Sequence, residues 1–200
     1  MHCSAVFSSM AGGPQSSAPW ARPIPGRLGH VHLATPFPMT VQELIRRYGL
    51  EPHPEGGWYR EVHRSGELVG RQDGCRRSGL TAILFLLPQD DISRWHRVCG
   101  ADESWHHAGG APLELLCLPP EGGRLRRQHL ASLAAPMDLP EESAMPLAIV
   151  PAGWWQAARS LGAWSLMSCC VGPGFDFADF SLLRDLPAAR HPAGALVEFL

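Results

Sequence analysis

His96, Glu103 and Gly110 stand at the spacing His-x6-Glu-x6-Gly, and a Pro-Ala-Gly-Trp-Trp-Gln run follows at 151–156. Read as a strand, 93–98 sends Arg94, His96 and Val98 to one face and Trp95 and Arg97 to the other. After a turn around Gly100, Glu103, Trp105 and His107 share one face of the returning strand, so the hairpin brings His96 and Glu103 together. The turn Pro151-Ala152-Gly153 lets Gln156 project into the same space. An imidazole, a carboxylate and an amide converging in an apolar, Trp-rich hollow describe a small-molecule site. An imidazole with an unperturbed pKa of about 6.5 suits general-base work near neutrality, and an adjacent carboxylate orients it and stabilises its charged form. That assigns His96 as base with Glu103 as its partner, and Arg94, Trp105, His107 and Gln156 as ligand contacts. Each has a plainer reading. A buried histidine bonded to a carboxylate is often structural, and tryptophans more often pack cores than stack on ligands. His53 and Glu55 read as loop residues that cap a turn.

The groups need a scaffold, and the chain reads as one made of short strands. Thr40 with Glu43 forms a capping box, Val41, Leu44, Ile45 and Tyr48 repeat at helical spacing, and Gly49 stops the helix. Beyond Gly49, strands are expected at 58–64, 80–87, 92–98, 103–107, 113–118, 125–130, 147–150, 155–159 and 164–171, with a loop over 136–146. Strands at intervals of about ten residues, without helices between them, argue an antiparallel sandwich or barrel rather than a βαβ fold. Residues 1–38, rich in Pro, Gly, Ser and Ala and without periodicity, are expected to be a disordered or non-native extension ahead of Met39. The barrel domain is expected over 39–185, with 186–200 as a C-terminal tail.

Composition limits the partners. Seventeen Lys plus Arg against nineteen Asp plus Glu give a net charge of -2, which offers no pull on nucleic acid or acidic membranes. No apolar run approaches the roughly 18 residues needed to cross a bilayer. The hydrophobic fraction of 45% and charged fraction of 18% fit a soluble protein. Cysteines at 3, 75, 99, 117, 169 and 170 make no C-x-x-C pair, so reduced, mostly buried thiols in a cytoplasmic protein are expected. Cys169 and Cys170 point to opposite faces of their strand.

The first motif resembles the cupin pattern H-x-H-x4-E-x6-G with Val98 replacing the second histidine, and the second resembles P-x-G-x-x-H with Gln156 replacing the last. More narrowly, five ordered segments resemble the cupin subfamily known as DUF985 or Cupin_5: His-Pro-Glu-Gly-Gly-Trp-Tyr-Arg-Glu at 53–61, then 93–98, 102–105, 150–158 and 173–177. They span almost all of residues 40–183. The resemblance implies an all-β, cupin-type antiparallel jelly-roll barrel with a short N-terminal helix, and a homodimer. A cupin metal centre draws three histidines and a carboxylate. Val98 cannot ligate and the Gln156 amide is a weak ligand, so no cofactor is expected and a divalent transition metal is disfavoured. The metal-free deoxysugar-nucleotide 3,5-epimerases of the same superfamily use a histidine base and a tyrosine acid. This chain is similar to them in keeping His96 on the corresponding strand. Tyr59 is then the candidate acid, because Tyr48 belongs to the core face of the helix. Arg60 and Arg94 would meet a phosphate or carboxylate on the substrate, and Phe175 would line the barrel mouth.

Three functions remain open on these residues. The first is a metal-free epimerase or isomerase acting on a sugar-like or nucleotide-linked substrate. The second is a non-catalytic module that binds a small polar metabolite. The third is a metal-dependent oxygenase using His96, Glu103 and Gln156. The partner in each is a small molecule.

Overall fold

The computed structural model describes residues 39–132 and 144–200. The expectation for residues 1–38, and most of the loop expected over 136–146, lie outside the described residues. Helix α1 spans Val41–Tyr48. The Glu43 amide donates to the Thr40 hydroxyl at 3.3 Å, and the Thr40 amide donates to the Glu43 carboxylate at 2.7 Å, the reciprocal cap its sequence calls for. Gly49, left-handed at φ 61°, ends the helix. Leu44, with Val41, Ile45 and Tyr48 beside it, packs on Leu86 and Leu166 of the neighbouring sheet.

Fourteen strands follow among the described residues: β1 Glu51–Pro52, β2 Trp58–Arg64, β3 Leu68–Gly70, β4 Arg76–Ser78, β5 Thr81–Pro88, β6 Ile92–Val98, β7 Asp102–Gly110, β8 Leu113–Leu118, β9 Arg126–Leu130, β10 Ala144–Met145, β11 Leu147–Val150, β12 Trp155–Ser160, β13 Trp164–Gly172 and β14 Phe180–Leu182. They form two six-stranded sheets, in the orders β1-β2-β5-β13-β7-β11 and β10-β9-β8-β12-β6-β14, plus the separate hairpin β3-β4. Pairing is antiparallel except between β9 and β10. This is an all-β jelly roll with one short helix. Its interior is filled from both sheets by Phe85, Leu87, Trp105, Met167 and Cys169 facing Leu113, Leu115 and Cys117. Alternation sorts the adjacent thiols as expected: Cys169 is in the core and Cys170 lies on the other face, half-buried.

The structure adds to the sequence reading in its short elements and at its C-terminus: β1, β3, β4, β10 and β14 are strands beyond those expected, and β10 falls inside the loop expected over 136–146. Hairpin β3-β4 was not expected, because the three residues of β3 are all exposed and give no apolar alternation. Residues 186–200, expected as a tail, pack on the outside of the second sheet. Phe199 is fully buried with Trp95, Leu116 and Trp155, and the Trp95 indole donates to the Leu196 carbonyl at 2.9 Å. Removing a buried phenylalanine side chain costs roughly 3 kcal/mol or more. Phe199→Ala is therefore expected to lower the free energy of denaturant unfolding by about that amount. A change under about 0.5 kcal/mol, ordinary for a surface position, would mean the segment does not belong to the packed domain.

Candidate functional site

Between the sheets lies a cavity of about 320 Å³. The first sheet contributes Tyr59 from β2, Phe85 from β5, and Glu103 and Trp105 from β7; the second contributes His96 and Val98 from β6. Phe175 and Phe177, from the segment after β13, and Phe180 of β14 complete the mouth.

One hydrogen-bonded chain joins the two sheets. The Trp105 indole, which can only donate, gives its hydrogen to the Gln156 side-chain oxygen at 2.9 Å. That orients the amide so that its nitrogen donates to Glu103 Oε2 at 2.6 Å. Among the described residues no other group donates to the Glu103 carboxyl. Burial, and then the negative charge of Glu55, push this carboxyl up to about 8, against the opposing bond from Gln156. At neutral pH Glu103 is a carboxylic acid. One oxygen accepts from Gln156, and an O–H remains to be donated.

The second carboxyl buried at the cavity is Glu55, and its state is the opposite. Its Oε1 accepts from the Ser93 hydroxyl at 2.8 Å, while His96 Nε2 and His53 Nδ1 each stand 3.2 Å from Oε2. His53 Nδ1 also lies 3.4 Å from the Glu55 amide, and charge makes the carboxylate contact the stronger of the two. Burial alone would raise Glu55, yet His96, His53 and Ser93 together hold it below the ordinary carboxyl range. Burial pushes the His96 imidazole down, with Glu55 pulling the other way. His96 Nδ1 is 2.7 Å from the Arg94 carbonyl, which only accepts, so Nδ1 carries a hydrogen. The Nε2–Oε2 contact is then a hydrogen bond only with a further proton between the two atoms.

The loop His53–Gly57 makes this possible. Gly56 adopts φ 112°, and a Cβ there would lie 2.1 Å from the Ile92 carbonyl, so no side chain is accepted. The Arg94 amide and guanidinium bind the Glu55 carbonyl at 2.8 and 3.1 Å, pinning the loop to the start of β6.

Several expectations change accordingly. His96 reaches the cavity, but its partner is Glu55 rather than Glu103, and both its ring nitrogens are engaged. Arg94 shares the His96 face yet lies outside the cavity, because its guanidinium turns back to the 53–57 loop. His107 is also outside: a register shift between Leu166 and Met167 interrupts the β7–β13 ladder, and the imidazole bonds the Ala111 carbonyl at 3.0 Å. Gln156 stands behind Glu103 rather than on the cavity wall. Tyr59, Trp105 and Phe175 line it, as do His53 and Glu55, which the sequence reading left as turn residues. The signal for Glu55 was its place between Pro54 and the two glycines, a loop tight enough to aim one side chain inward.

The raised carboxyl has a consequence for stability. A group whose pKa is higher folded than unfolded contributes stability that is full below its unfolded value, here 4.5, and that is lost as pH rises through about 8. The loss runs at up to about 1.4 kcal/mol per pH unit. Denaturant unfolding between about pH 5 and 8 is expected to reveal this decline in the wild type and its removal in Glu103→Gln. Parallel curves for the two proteins would show that the carboxyl titrates in the ordinary range.

Comparison with known proteins assigns the scaffold. A hypothetical protein from Leishmania major superposes with a TM-score of 0.65 at 31% identity, covering 78% of this chain and 96% of its own. A protein from Shewanella oneidensis gives 0.62 at 33% identity, covering 72% of this chain and 85% of its own. No curated protein matches significantly. No helix among the described residues is long and apolar enough to cross a membrane. The family described as Cupin superfamily (DUF985) matches residues 42–183, and the chain belongs to it.

Proposed function

We propose that the cavity is the active site of a metal-independent proton-transfer enzyme, an isomerase or epimerase of small carbonyl compounds. The observation that carries this reading is the opposed state of two carboxyls in one enclosed space. Glu55 is held ionised by Ser93, His53 and His96, and Glu103, bonded only by an amide, keeps its proton. A base and an acid set apart by their surroundings are the equipment for enolisation. The C–H bond next to the carbonyl breaks toward Glu55, its electron pair moves into the enol double bond, and the carbonyl oxygen takes the Glu103 proton. For an α-hydroxy carbonyl substrate, Glu55 returns its proton to the former carbonyl carbon while the other enediol hydroxyl gives its proton to Glu103, which completes an isomerisation. In an epimerisation the Tyr59 hydroxyl protonates the opposite face of the first carbon, the enol hydroxyl gives its proton back to Glu103, and solvent carries the Glu55 proton to Tyr59. The base role thus passes from His96, the sequence candidate, to Glu55, with His96 stabilising its charge.

The donor set does not fit a transition metal. Val98 has no donor atom and the Gln156 oxygen accepts from Trp105, so two of the four ligand positions supply no imidazole. The expected phosphate contacts are also engaged elsewhere. Arg60 bonds the Tyr48 carbonyl at 2.9 Å and Arg94 the Glu55 carbonyl at 3.1 Å, which favours a compact substrate over a nucleotide-linked one. A second reading, binding without turnover, is favoured by one observation: both ring nitrogens of His96 are already bonded.

Incubation in deuterated water with dihydroxyacetone and 2-hydroxycyclohexanone separates the readings. Loss of the α-proton signal in NMR is expected with the wild type, slowed about 100-fold or more in Glu55→Gln and in Glu103→Gln. Binding of these probes without exchange would favour the second reading, and neither binding nor exchange would remove both.

A further inference from the structure

We propose that the ligand of this cavity carries a small organic cation, seated against an aromatic cluster at the mouth. The proposal rests on the reading of the cavity as the binding site and not on the reaction assigned to it. Phe175, Phe177 and Phe180 have centroids 5.0 to 6.0 Å apart and interplanar angles of 68° to 81°. The three rings pack edge to face and all of them line the cavity. His53 stacks on Phe177 at 6.4 Å and meets Tyr59 edge-on at 4.6 Å, extending the aromatic lining inward. Ring faces carry the negative lobe of the aromatic quadrupole, and they attract a cation most strongly where water is excluded.

The charges beside the rings point the same way. Of the four carboxyls that line the cavity, Glu103 is protonated and Glu55 is paired with His53 and His96, which leaves Glu61 and Asp176 beside a single guanidinium, Arg64. Arg64 is committed: its Nε and Nη2 donate to Glu61 at 2.9 and 2.7 Å, and its Nη1 to the Phe175 carbonyl at 3.1 Å. Asp176 lies between Phe175 and Phe177 in the chain, and the Arg77 guanidinium nearest to it is 4.0 Å away. Arg77 spends its shorter bonds, 2.7 and 3.0 Å, on Asp179. The mouth therefore sets the Asp176 carboxylate, with no short ion pair of its own, beside ring faces, a combination that selects an ammonium group over a neutral or anionic one of equal shape.

The test is isothermal titration of the full chain with three probes of one shape: choline, its uncharged carbon isostere 3,3-dimethylbutan-1-ol, and 3,3-dimethylbutanoate. Choline is expected to bind about tenfold tighter than the alcohol, with the carboxylate weakest. Asp176→Asn keeps an oxygen for the Ala178 amide that Asp176 now accepts at 2.9 Å, so the local turn is retained while the charge is lost. That variant should weaken choline about threefold or more and leave the alcohol unchanged. Phe177→Leu, at a half-exposed ring whose loss leaves the core intact, should also lower choline affinity selectively. Equal binding of choline and the alcohol, preference for the carboxylate, no choline binding, or variants that leave the selectivity intact would each overturn the proposal. Choline selectivity without deuterium exchange would remove the reaction and keep this inference; exchange without selectivity would do the reverse.

Discussion

Glu103 lies between two sheets with almost no water to solvate a charge, and the centre of the barrel is organised by how that carboxyl is satisfied. Ionisation in such a place requires a cation or several strong donors. The chain supplies one amide instead, and fixes that amide from behind with the Trp105 indole. The result is a neutral acid on one sheet bonded to an amide from the other, so the chemistry of the site and the closure of the barrel depend on the same contacts. Trp105 serves both: its ring packs edge-on against Phe85 at 5.6 Å, and its nitrogen orients Gln156.

Glu55 solves the same problem in the other way. Three side-chain donors surround it, all from the 53–57 loop or β6, and they keep its charge in a buried place. The two solutions reinforce each other. A negative charge on Glu55 raises the cost of a second one on Glu103, so the cavity favours one ionised and one protonated carboxyl over two charges. This division needs no precise spacing of the two groups along the chain. It needs both to be dry and within reach of one another's field.

What the sequence reveals about such a site depends on the range of the interactions involved. Strand β6 falls at 92–98 and β8 at 113–118, where alternation and turn chemistry place them, and the cap of α1 is readable because Thr40 and Glu43 are only three residues apart. The inward placing of His96, Glu103 and Trp105 follows from the same two-residue period. Glu55 was not legible in this way. Pro54 and Gly56-Gly57 announce a turn, and only bonds to Ser93 and Arg94, 38 and 39 residues further on, make the turn deliver a carboxylate to the interior. Arg94 and His107 fail for the complementary reason. Period two sets the face of a side chain, but a competing carbonyl or a bulge in the ladder decides whether it arrives. Phe180 belongs to a strand of three residues, too short for any periodicity to mark.

The substitutions at Val98 and Gln156 are best understood together. Val98 is buried in a small apolar cluster with Ala101 and Val171, against Phe175. An imidazole placed there would be desolvated on every side, and its nearest acidic neighbours would be a protonated Glu103 and a Glu55 already shared by two histidines. A single histidine at 98 therefore does not rebuild a metal centre. Gln156 would still take the Trp105 hydrogen and bond Glu103, while burial and the Glu55 charge would still oppose ionisation of that carboxyl. A metal-binding donor set needs a ligating side chain at residue 156 as well, so that Glu103 has a cation to ionise against. Positions 98 and 156 therefore act together, because a histidine at either one alone does not complete a ligand set around His96 and Glu103.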